Sequence, residues 1–396
     1  MRFLRLVVAL LGTSVSLPLP AGAASVPESP VADLGAVVAP IVAARGVPGL
    51  AVVVLKGDRI VAQGVAGVRR AGRADPLSLQ DQFLICSATK AMTATLAARA
   101  VEEGRLSWSS SVRETLGSSL SGIRSEWDAA TLAQLLEHRS GVPADTSRIW
   151  TLIRVEFFSR KDPAHKRELV VRRVLSHRPA YAPGTGYIYS TLDYLIVAAM
   201  LEKVYGRPWE TLIRERLWEP LGIVEAGFGA PEAKNGRGAY GHLGILLPGH
   251  AVKPGGFWSR LTMPAGFNMA RMTLAEWAKF VAIHLKGDPD NPHHQATLLT
   301  PESFAALHAV SREKFYEGGW FRAELPWQGH GNEESTRVLS SQGDNYVWHV
   351  EAWLMPAMDT AVLIACNEGG PTSGKPAALA SRDLLQALRE GFLAAP

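Results

Sequence analysis

The chain has 396 residues, of which 47% are hydrophobic, so it is long enough to bury a core in one large domain or two ordinary ones. This composition is typical of a globular protein. The formal net charge of +4 at pH 7 is too small to indicate nucleic acid or another acidic polymer as a partner.

The N-terminal residues have the pattern of a secretory signal. Two arginines precede a short apolar segment, Leu6 to Leu11, and Ala21-Gly22-Ala23 is a small-residue cleavage site. The apolar segment is too short to span a membrane, and no cysteine for a lipid anchor follows the cleavage site. We therefore predict that residues 1–24 are a signal peptide and that residues 25–396 form a periplasmic or secreted protein without a membrane anchor.

A helix and a β-hairpin are predicted next. Val31 to Arg45 has helical apolar spacing and ends at Gly46-Val47-Pro48-Gly49. Leu50 to Leu55 and Arg59 to Gly64 read as two strands joined by a tight turn.

A serine and a lysine three positions apart then open a predicted helix, which continues to Gly104. Ser87 and Lys90 would share one helical face, so the lysine can take the proton that the serine must lose to become a nucleophile. Ser87 would lie in the first helical turn, where free N–H groups favour a developing negative charge. The spacing alone is a weak signal and more often marks a helix cap followed by a solvated lysine.

The middle of the chain, to about Pro292, is predicted to be rich in helices. Thr273, followed by Glu276, has the pattern of a capping box. Gly236 to Pro264 lacks periodicity and is predicted to be a loop that borders a site. The predicted helices are Thr131–His138, Leu192–Tyr205, Trp209–Trp218 and Thr273–Leu285.

A second candidate for chemistry is Tyr189-Ser190-Thr191, just before one of these helices. A tyrosine near a lysine ammonium has its phenolate favoured and can take or relay the serine proton. The alternative is a buried aromatic residue that anchors a loop.

The C-terminal part returns to a strand pattern. A short helix is predicted from Thr300, and the chain closes with predicted strands and a helix: Gly318–Ala323, Tyr346–Met355, Thr360–Cys366 and Ser381–Leu393. Strands at both chain ends predict one sheet completed by both termini, in an α+β fold. Its α/β part would comprise about residues 31–86 and 300–396, and residues 87–299 would form an inserted helical part.

A third candidate is Ser341-Gln342-Gly343-Asp344-Asn345, before one of the late strands. Glycine on a strand edge lets a substrate approach the backbone, and a following N–H can join that of Ser87 as an oxyanion donor. The alternative is a simple turn. Strand alternation places Trp348 and His349 on opposite faces, so only one of them can point into a cleft.

Neither a metal site nor a nucleotide cofactor is predicted. His293-His294 lacks a third ligand at useful spacing, and no glycine-rich stretch matches a phosphate-binding fingerprint. The other histidines considered are predicted to be surface or structural residues: His138, His242, His330 and His349. Cys86 and Cys366 are predicted to be two buried thiols.

Three motifs resemble those of the serine β-lactamase and penicillin-binding-protein superfamily in their order and separations. They are Ser87-Ala88-Thr89-Lys90, Tyr189-Ser190-Thr191 and the strand that holds Gly343. The branch of the superfamily that the chain resembles includes class C β-lactamases, D-aminopeptidases, D,D-carboxypeptidases and family VIII carboxylesterases. The similarity covers about residues 32–392, with secondary matches at residues 46–49, 135–143 and 365–370.

The resemblance implies a cleft between an antiparallel sheet with flanking helices and a mostly helical region. It also implies that Ser87 attacks an ester or amide carbonyl, that Lys90 and Tyr189 manage its proton, and that water releases the acyl group without a cofactor. Which of Lys90 and Tyr189 is the base stays open. Thr191, Ser341, Gly343 and Asp344 would contact the substrate or the oxyanion.

Two residues depart from the superfamily pattern. Thr191 replaces the usual asparagine of the second motif, and Ser341 replaces the lysine or histidine that begins the third. Loss of one such electrostatic donor costs about a hundredfold to a thousandfold in rate. Asp344 would add negative charge beside the oxyanion.

The sequence therefore predicts an exported serine hydrolase that acts on small esters or peptide-like amides, with weak β-lactamase activity at most. The alternative is a catalytically impaired module of the same fold that binds cell-wall or peptide ligands.

Overall fold

The computed structural model describes most of the chain as one compact unit from Val31 onward. The predicted signal peptide lies outside the described residues. These are residues 30–145, 155, 162–231, 239–244, 250–254, 256, 259, 269–309, 316–325, 336–370 and 376–393.

The strands are short in the middle of the chain and long toward both ends. In chain order they are β1 Ala32–Asp33, β2 Gly49–Lys56, β3 Arg59–Gly67, β4 Phe83–Leu84, β5 Ala226–Phe228, β6 Gly241–Leu243, β7 His250–Val252, β8 Ala270–Met272, β9 Tyr316–Glu317, β10 Trp320–Leu325, β11 Thr336–Asp344, β12 His349–Met355, β13 Thr360–Cys366 and β14 Glu368–Gly369.

The α-helices alternate with loops between those two groups of strands. In chain order they are α1 Gly35–Arg45, α2 Thr89–Glu102, α3 Val112–Leu116, α4 Leu132–Leu136, α5 Pro163–Leu175, α6 Thr191–Tyr205, α7 Trp209–Ile213, α8 Leu274–Gly287, α9 Pro301–Leu307 and α10 Pro376–Glu390. No helix of the described residues is long and apolar enough to cross a membrane.

Both chain ends build the main sheet, as predicted. Its eight strands follow the order β1-β3-β2-β13-β12-β11-β10-β9, and the central pair joins β2 to β13 in antiparallel register. Among the described strands of this sheet, only the two-residue β1 pairs in parallel, with β3. The sheet therefore brings residues from the start and the end of the chain side by side.

The central strands are apolar on both faces because both faces are covered. In β2, Val52 and Val54 belong to the core cluster shared with α1 and α10, whereas Val53 and Leu55 belong to the cluster shared with α2 and α8. This alternation follows from the two-residue period of a strand. It explains why the predicted strand Leu50–Leu55 has no polar positions.

The structure also corrects several predicted boundaries. The first helix begins at Gly35, because the two residues of β1 pair with β3 before it. The last helix spans Pro376–Glu390 and so begins before the predicted Ser381. Trp209–Trp218 is a short α-helix followed by a π-helical segment, Arg214–Trp218.

Other corrections concern the middle of the chain. The predicted loop Gly236–Pro264 includes β6 and β7 among its described residues. Thr273 caps α8 by accepting a hydrogen bond from the Glu276 N–H, but the Glu276 carboxylate bonds to the Val224 N–H instead of completing a capping box. Helix α8 packs on β2 and β13, so it covers the main sheet although it lies within the predicted helical part.

Candidate active site

Ser87 lies in a 3₁₀ turn, Cys86–Ala88, between β4 and α2. Helix α2 begins at Thr89, so the prediction that Ser87 occupies the first α-helical turn is wrong by one short turn. The reason is Cys86, whose φ of +45° lies in the left-handed region that an α-helix cannot use. The turn presents Ser87 to the cleft just before the helix, and the strained backbone position is Cys86.

Lys90 lies behind Ser87 and is buried, with 5% of its surface exposed. Its Nζ donates hydrogen bonds to Ser87 Oγ at 3.0 Å and to Thr191 Oγ1 at 3.3 Å. The same atom lies 5.0 Å from the ring centre of Tyr189 and 5.8 Å from that of Tyr194. Within the described part of the chain, no carboxylate bonds to this amine.

The second motif is an extended segment that leads into α6. Ser190 is the N-cap of the helix and accepts a hydrogen bond from the Leu192 N–H. Asp145 accepts bonds from the Ser190 hydroxyl at 3.0 Å and from the Thr191 N–H at 2.9 Å. These bonds fix Tyr189 beside the cleft and Thr191 beside Lys90. The structure thus brings Thr191 to the lysine.

The third motif lies on β11, against the Ser87 turn. A Cβ added to Gly343 would lie 2.4 Å from the Ile85 carbonyl oxygen and 3.0 Å from the Ser87 nitrogen, so only glycine allows this approach. Ser341 is buried, and its hydroxyl has no hydrogen-bond partner among the described residues. Gln342 and Asp344 line the cleft, whereas Ser341 does not.

Asp344, predicted to add negative charge beside the oxyanion, is engaged by neighbouring groups. Its carboxylate accepts hydrogen bonds from the N–H groups of Tyr346 and Gly370, both at 2.8 Å. The same carboxylate lies 3.0 Å from His349 Nδ1. It therefore organises the turn between β11 and β12.

His349 points into the cleft, while Trp348 packs against Phe83 on the other face, as strand alternation predicts. His349 Nε2 lies 2.9 Å from a Glu351 oxygen, so both ring nitrogens face carboxylates. Burial lowers the pKa of His349, but the hydrogen bonds with Asp344 and Glu351 outweigh it and raise the pKa to about 9. His349 is thus an imidazolium with both N–H groups in use.

The cleft that joins these motifs has a volume of about 780 Å³. Aromatic and aliphatic side chains from three parts of the fold form much of its wall, and Arg382 of α10 adds a positive charge. The lining includes Ser87, Tyr189, Phe321, Gln342, Gly343, Asp344, His349, Glu351, Trp353, Arg382 and Leu385. A cleft of this size suits a small organic or peptide-like substrate.

Cys86 is a buried free thiol beside the nucleophile, and Cys366 is also free and buried, as predicted. Burial raises the pKa of the Cys86 thiol well above its ordinary value, and the Asp344 carboxylate raises it further. A thiol held in its protonated form is a poor nucleophile. Among the described residues, no group of three or more acidic, histidine or cysteine side chains is arranged to hold a metal ion.

His138, predicted to be an isolated surface or structural residue, is fully buried behind Tyr189. The two ring centres lie 4.4 Å apart. Sequence reasoning missed this contact because 51 positions separate the residues (189 − 138). The available signal was a histidine placed just before the Ser140-Gly141 stop of a helix that precedes the second motif.

Comparisons with known proteins show which family and fold the chain matches. The family model described as Beta-lactamase matches residues 34–386. The chain is 25% identical to "Unguisins hydrolase ungD'" of Aspergillus campestris (strain IBT 28561), over 81% of this chain and 58% of that protein. It is 28% identical to "Penicillin-binding protein 4" of Amycolatopsis lactamdurans, over 60% of each. The chain thus covers about six-tenths of the length of these two relatives.

A solved structure shares the fold. The octameric penicillin-binding protein homologue from Pyrococcus abyssi superposes with a TM-score of 0.67 at 19% identity, covering 89% of this chain and 75% of that one.

Proposed function

Because the chain belongs to the Beta-lactamase family, we propose that it is a serine hydrolase that forms an acyl-enzyme through Ser87. The observation that carries the proposal is the 3.0 Å contact between Lys90 Nζ and Ser87 Oγ at the cleft. A nucleophile and a proton acceptor within hydrogen-bond distance are the minimum that acyl transfer needs.

In the proposed first step, Ser87 Oγ attacks a carbonyl carbon and its proton passes to the Lys90 amine or to the Tyr189 phenolate. The carbonyl oxygen becomes an oxyanion next to the Ser87 N–H and the backbone that follows Gly343. When the intermediate collapses, the ester or amide bond breaks and the leaving group takes the proton. Water then attacks the acyl-enzyme, and Ser87 regains its proton.

The altered motifs support esters and peptide-like amides as substrates, ahead of penicillins. Ser341 brings no cation to the start of the third motif, and both N–H groups of His349 are used by Asp344 and Glu351. A substrate carboxylate would therefore find no free donor on this histidine. Besides the His349 imidazolium, Arg382 on the C-terminal helix is the cationic side chain that such a group would meet in the described lining.

Export is part of the same proposal. Its support is the pattern of Arg2 and Arg5, the apolar Leu6–Leu11 and the small residues Ala21-Gly22-Ala23. Removal of residues 1–24 would release a periplasmic or secreted enzyme.

The test is intact-mass analysis of the mature protein and of Ser87→Ala after exposure to a fluorophosphonate, a short p-nitrophenyl ester and a chromogenic cephalosporin. We expect a mass increase and ester turnover in the unchanged protein and neither in the variant. Ser176→Ala, a serine that bonds to Arg173 away from the cleft, is the matched control and should keep both.

Two results would contradict the proposal. A folded protein that forms no adduct with any probe would indicate a ligand-binding module. Efficient cephalosporin turnover without ester turnover would reverse the assigned substrate preference.

A further inference from the structure

A second buried cluster lies directly behind the candidate active site. His138 Nδ1 is 2.8 Å from Asp193 Oδ2, and the Ser140 hydroxyl donates to Asp193 Oδ1 at 2.5 Å. His138 and Asp193 expose 0% and 1% of their surfaces. A polar pair this deep in a core is expensive unless it serves a purpose.

His138 is held in place at some cost. Its φ of +58° lies in the left-handed region, where residues other than glycine are strained. Its Nε2 is buried without a hydrogen-bond partner among the described residues. A strained backbone and an unsatisfied buried side-chain nitrogen in one residue point to a role beyond packing.

The imidazole lies between the aromatic rings of the site. Its ring centre is 4.4 Å from that of Tyr189 and 4.6 Å from that of Tyr316. The Tyr189 ring also lies near Lys90, whose Nζ is 5.0 Å from its centre. His138 thus supports the tyrosine that must stay beside the lysine.

The hydrogen-bond directions indicate where the proton of the pair resides. The Ser190 N–H donates to His138 Nδ1 at 3.4 Å, so this nitrogen acts as an acceptor. The proton of the 2.8 Å contact then belongs to Asp193, as a neutral carboxylic acid. Burial raises the pKa of Asp193 well above its ordinary value. Burial, together with the nearby Lys90 ammonium, lowers the pKa of His138 well below its ordinary value.

The consequence concerns Lys90. An ionised carboxylate near an amine raises the pKa of that amine and makes it a less available base at neutral pH. A neutral acid does not. By accepting a hydrogen bond from the neutral Asp193 carboxyl group, His138 would keep a negative charge away from the base.

We propose that His138 and Asp193 are positioning residues for the Ser87–Lys90–Tyr189 centre, and that this neutral pair fixes the Tyr189 ring and leaves Lys90 without an anionic partner. The inference rests on the proposed function. Other titratable groups face the pair from the surrounding elements of the described chain: Asp145, Tyr181, Tyr187, Tyr189, Tyr194 and Tyr316.

The main test is the pH dependence of kcat/KM for ester hydrolysis in His138→Asn and in His138→Asn combined with Asp193→Asn. Asparagine tolerates a positive φ, and its amide can donate to Asp193, which then ionises. We expect kcat to fall about tenfold or more and the acid limb to move up by about one pH unit in the single variant. Asparagine at 193 cannot ionise, so the double variant should return the limb to its original pH.

A matched control exists in the same chain. His308 and Asp288 form another buried pair at 2.8 Å, away from the cleft lining. His308→Asn should lower the melting temperature without moving the acid limb. An acid limb that stays in place in His138→Asn, or that moves equally in the double variant, overturns the proposal.

Infrared difference spectroscopy needs no turnover and covers the case in which His138→Asn does not fold. The unchanged protein minus Asp193→Asn should show the C=O band of a protonated carboxyl at neutral pH. Carboxylate bands in its place would overturn the proposal, whereas absence of a Ser87 adduct in the unchanged protein would contradict only the proposed function.

Discussion

Gly343 lies so close to Ser87 that a methyl group on the glycine would sit 3.0 Å from the serine nitrogen and 2.4 Å from the carbonyl oxygen of Ile85. Gly343→Ala must therefore push β11 away from the Ser87 turn. We expect kcat/KM for ester hydrolysis to fall about a hundredfold or more, as when an oxyanion donor is lost. Steady-state kinetics checks this, and a variant with ordinary kinetics would mean that the strand is not part of the oxyanion site.

The pKa of about 9 for His349 makes stability depend on pH. Its folded-state pKa lies above the ordinary value of 6.5, so this stabilisation is complete below pH 6.5 and is lost as the pH rises through 9. The shift corresponds to about 3 kcal/mol. Urea unfolding at pH 6, 7.5 and 9.5 should show this decline in the free energy of unfolding.

His349→Gln removes the titrating group and serves as the comparison. The variant should be less stable at pH 6 and show a flatter dependence. Parallel curves for the two proteins would show that His349 does not carry the effect.

Asp288 is expected to be a main determinant of stability away from the cleft. It pairs with His308 at 2.8 Å and with Arg337, and it is fully buried. Asp288→Asn removes the carboxylate that these two side chains share and leaves Arg337 with Asp290 alone, so the free energy of unfolding should fall by about 1.5–3 kcal/mol. Chemical denaturation measures this loss, and kcat of the folded fraction should stay unchanged.

The same carboxylate predicts acid sensitivity. Burial raises the pKa of Asp288, but its bonds with His308 and Arg337 outweigh burial and leave the pKa below the ordinary value of 3.8. Its contribution is therefore present above pH 3.8 and is lost as the pH falls further. Acid denaturation curves of the unchanged protein and Asp288→Asn should converge at low pH.

Thr191→Asn restores the amide that the superfamily pattern places next to the lysine. An added side-chain amide offers a substrate amide one more hydrogen bond, worth about 1 kcal/mol. We expect the ratio of kcat/KM for the cephalosporin to that for the p-nitrophenyl ester to rise about fivefold. An unchanged ratio would show that Thr191 serves Lys90 alone, through its 3.3 Å contact.

The signal-peptide proposal predicts a mature protein that begins at Ser25. Expression of the full chain in a bacterial host, followed by osmotic-shock fractionation and N-terminal sequencing, checks this. A variant with Arg2 and Arg5 replaced by aspartate should stay in the cytoplasm with residue 1 or 2 as its N-terminus. An unprocessed, cytoplasmic unchanged protein would refute export.

Local patterns predicted the long elements because their cause is local. The hairpin of β2 and β3, the late strand Thr360–Cys366 and the helix after Ser87 follow from periodicity and turn residues in one short stretch. Strands of three residues, such as Ala226–Phe228, are too short to show a period and were missed.

The site divides in the same way. Ser87 and Lys90 lie one turn apart, so their sequence spacing alone predicts the contact. The pairing of Asp344 with His349 depends on a turn that folds β12 back on β11, and that of His138 with Asp193 joins the turn after α4 to helix α6. Such contacts depend on tertiary packing, for which a single sequence carries no direct signal.

Because both chain ends build the main sheet, the parts of the candidate site are synthesised at different times. Gly343 is made 256 residues after Ser87 (343 − 87), and β13, the strand that ties β12 to β2, is made later still. In the proposed mechanism, the growing chain therefore carries Ser87 before the Gly343 strand of the oxyanion site exists, and activity is expected only after long-range pairing is complete. A chain truncated before Gly343 is therefore expected to lack ester hydrolysis.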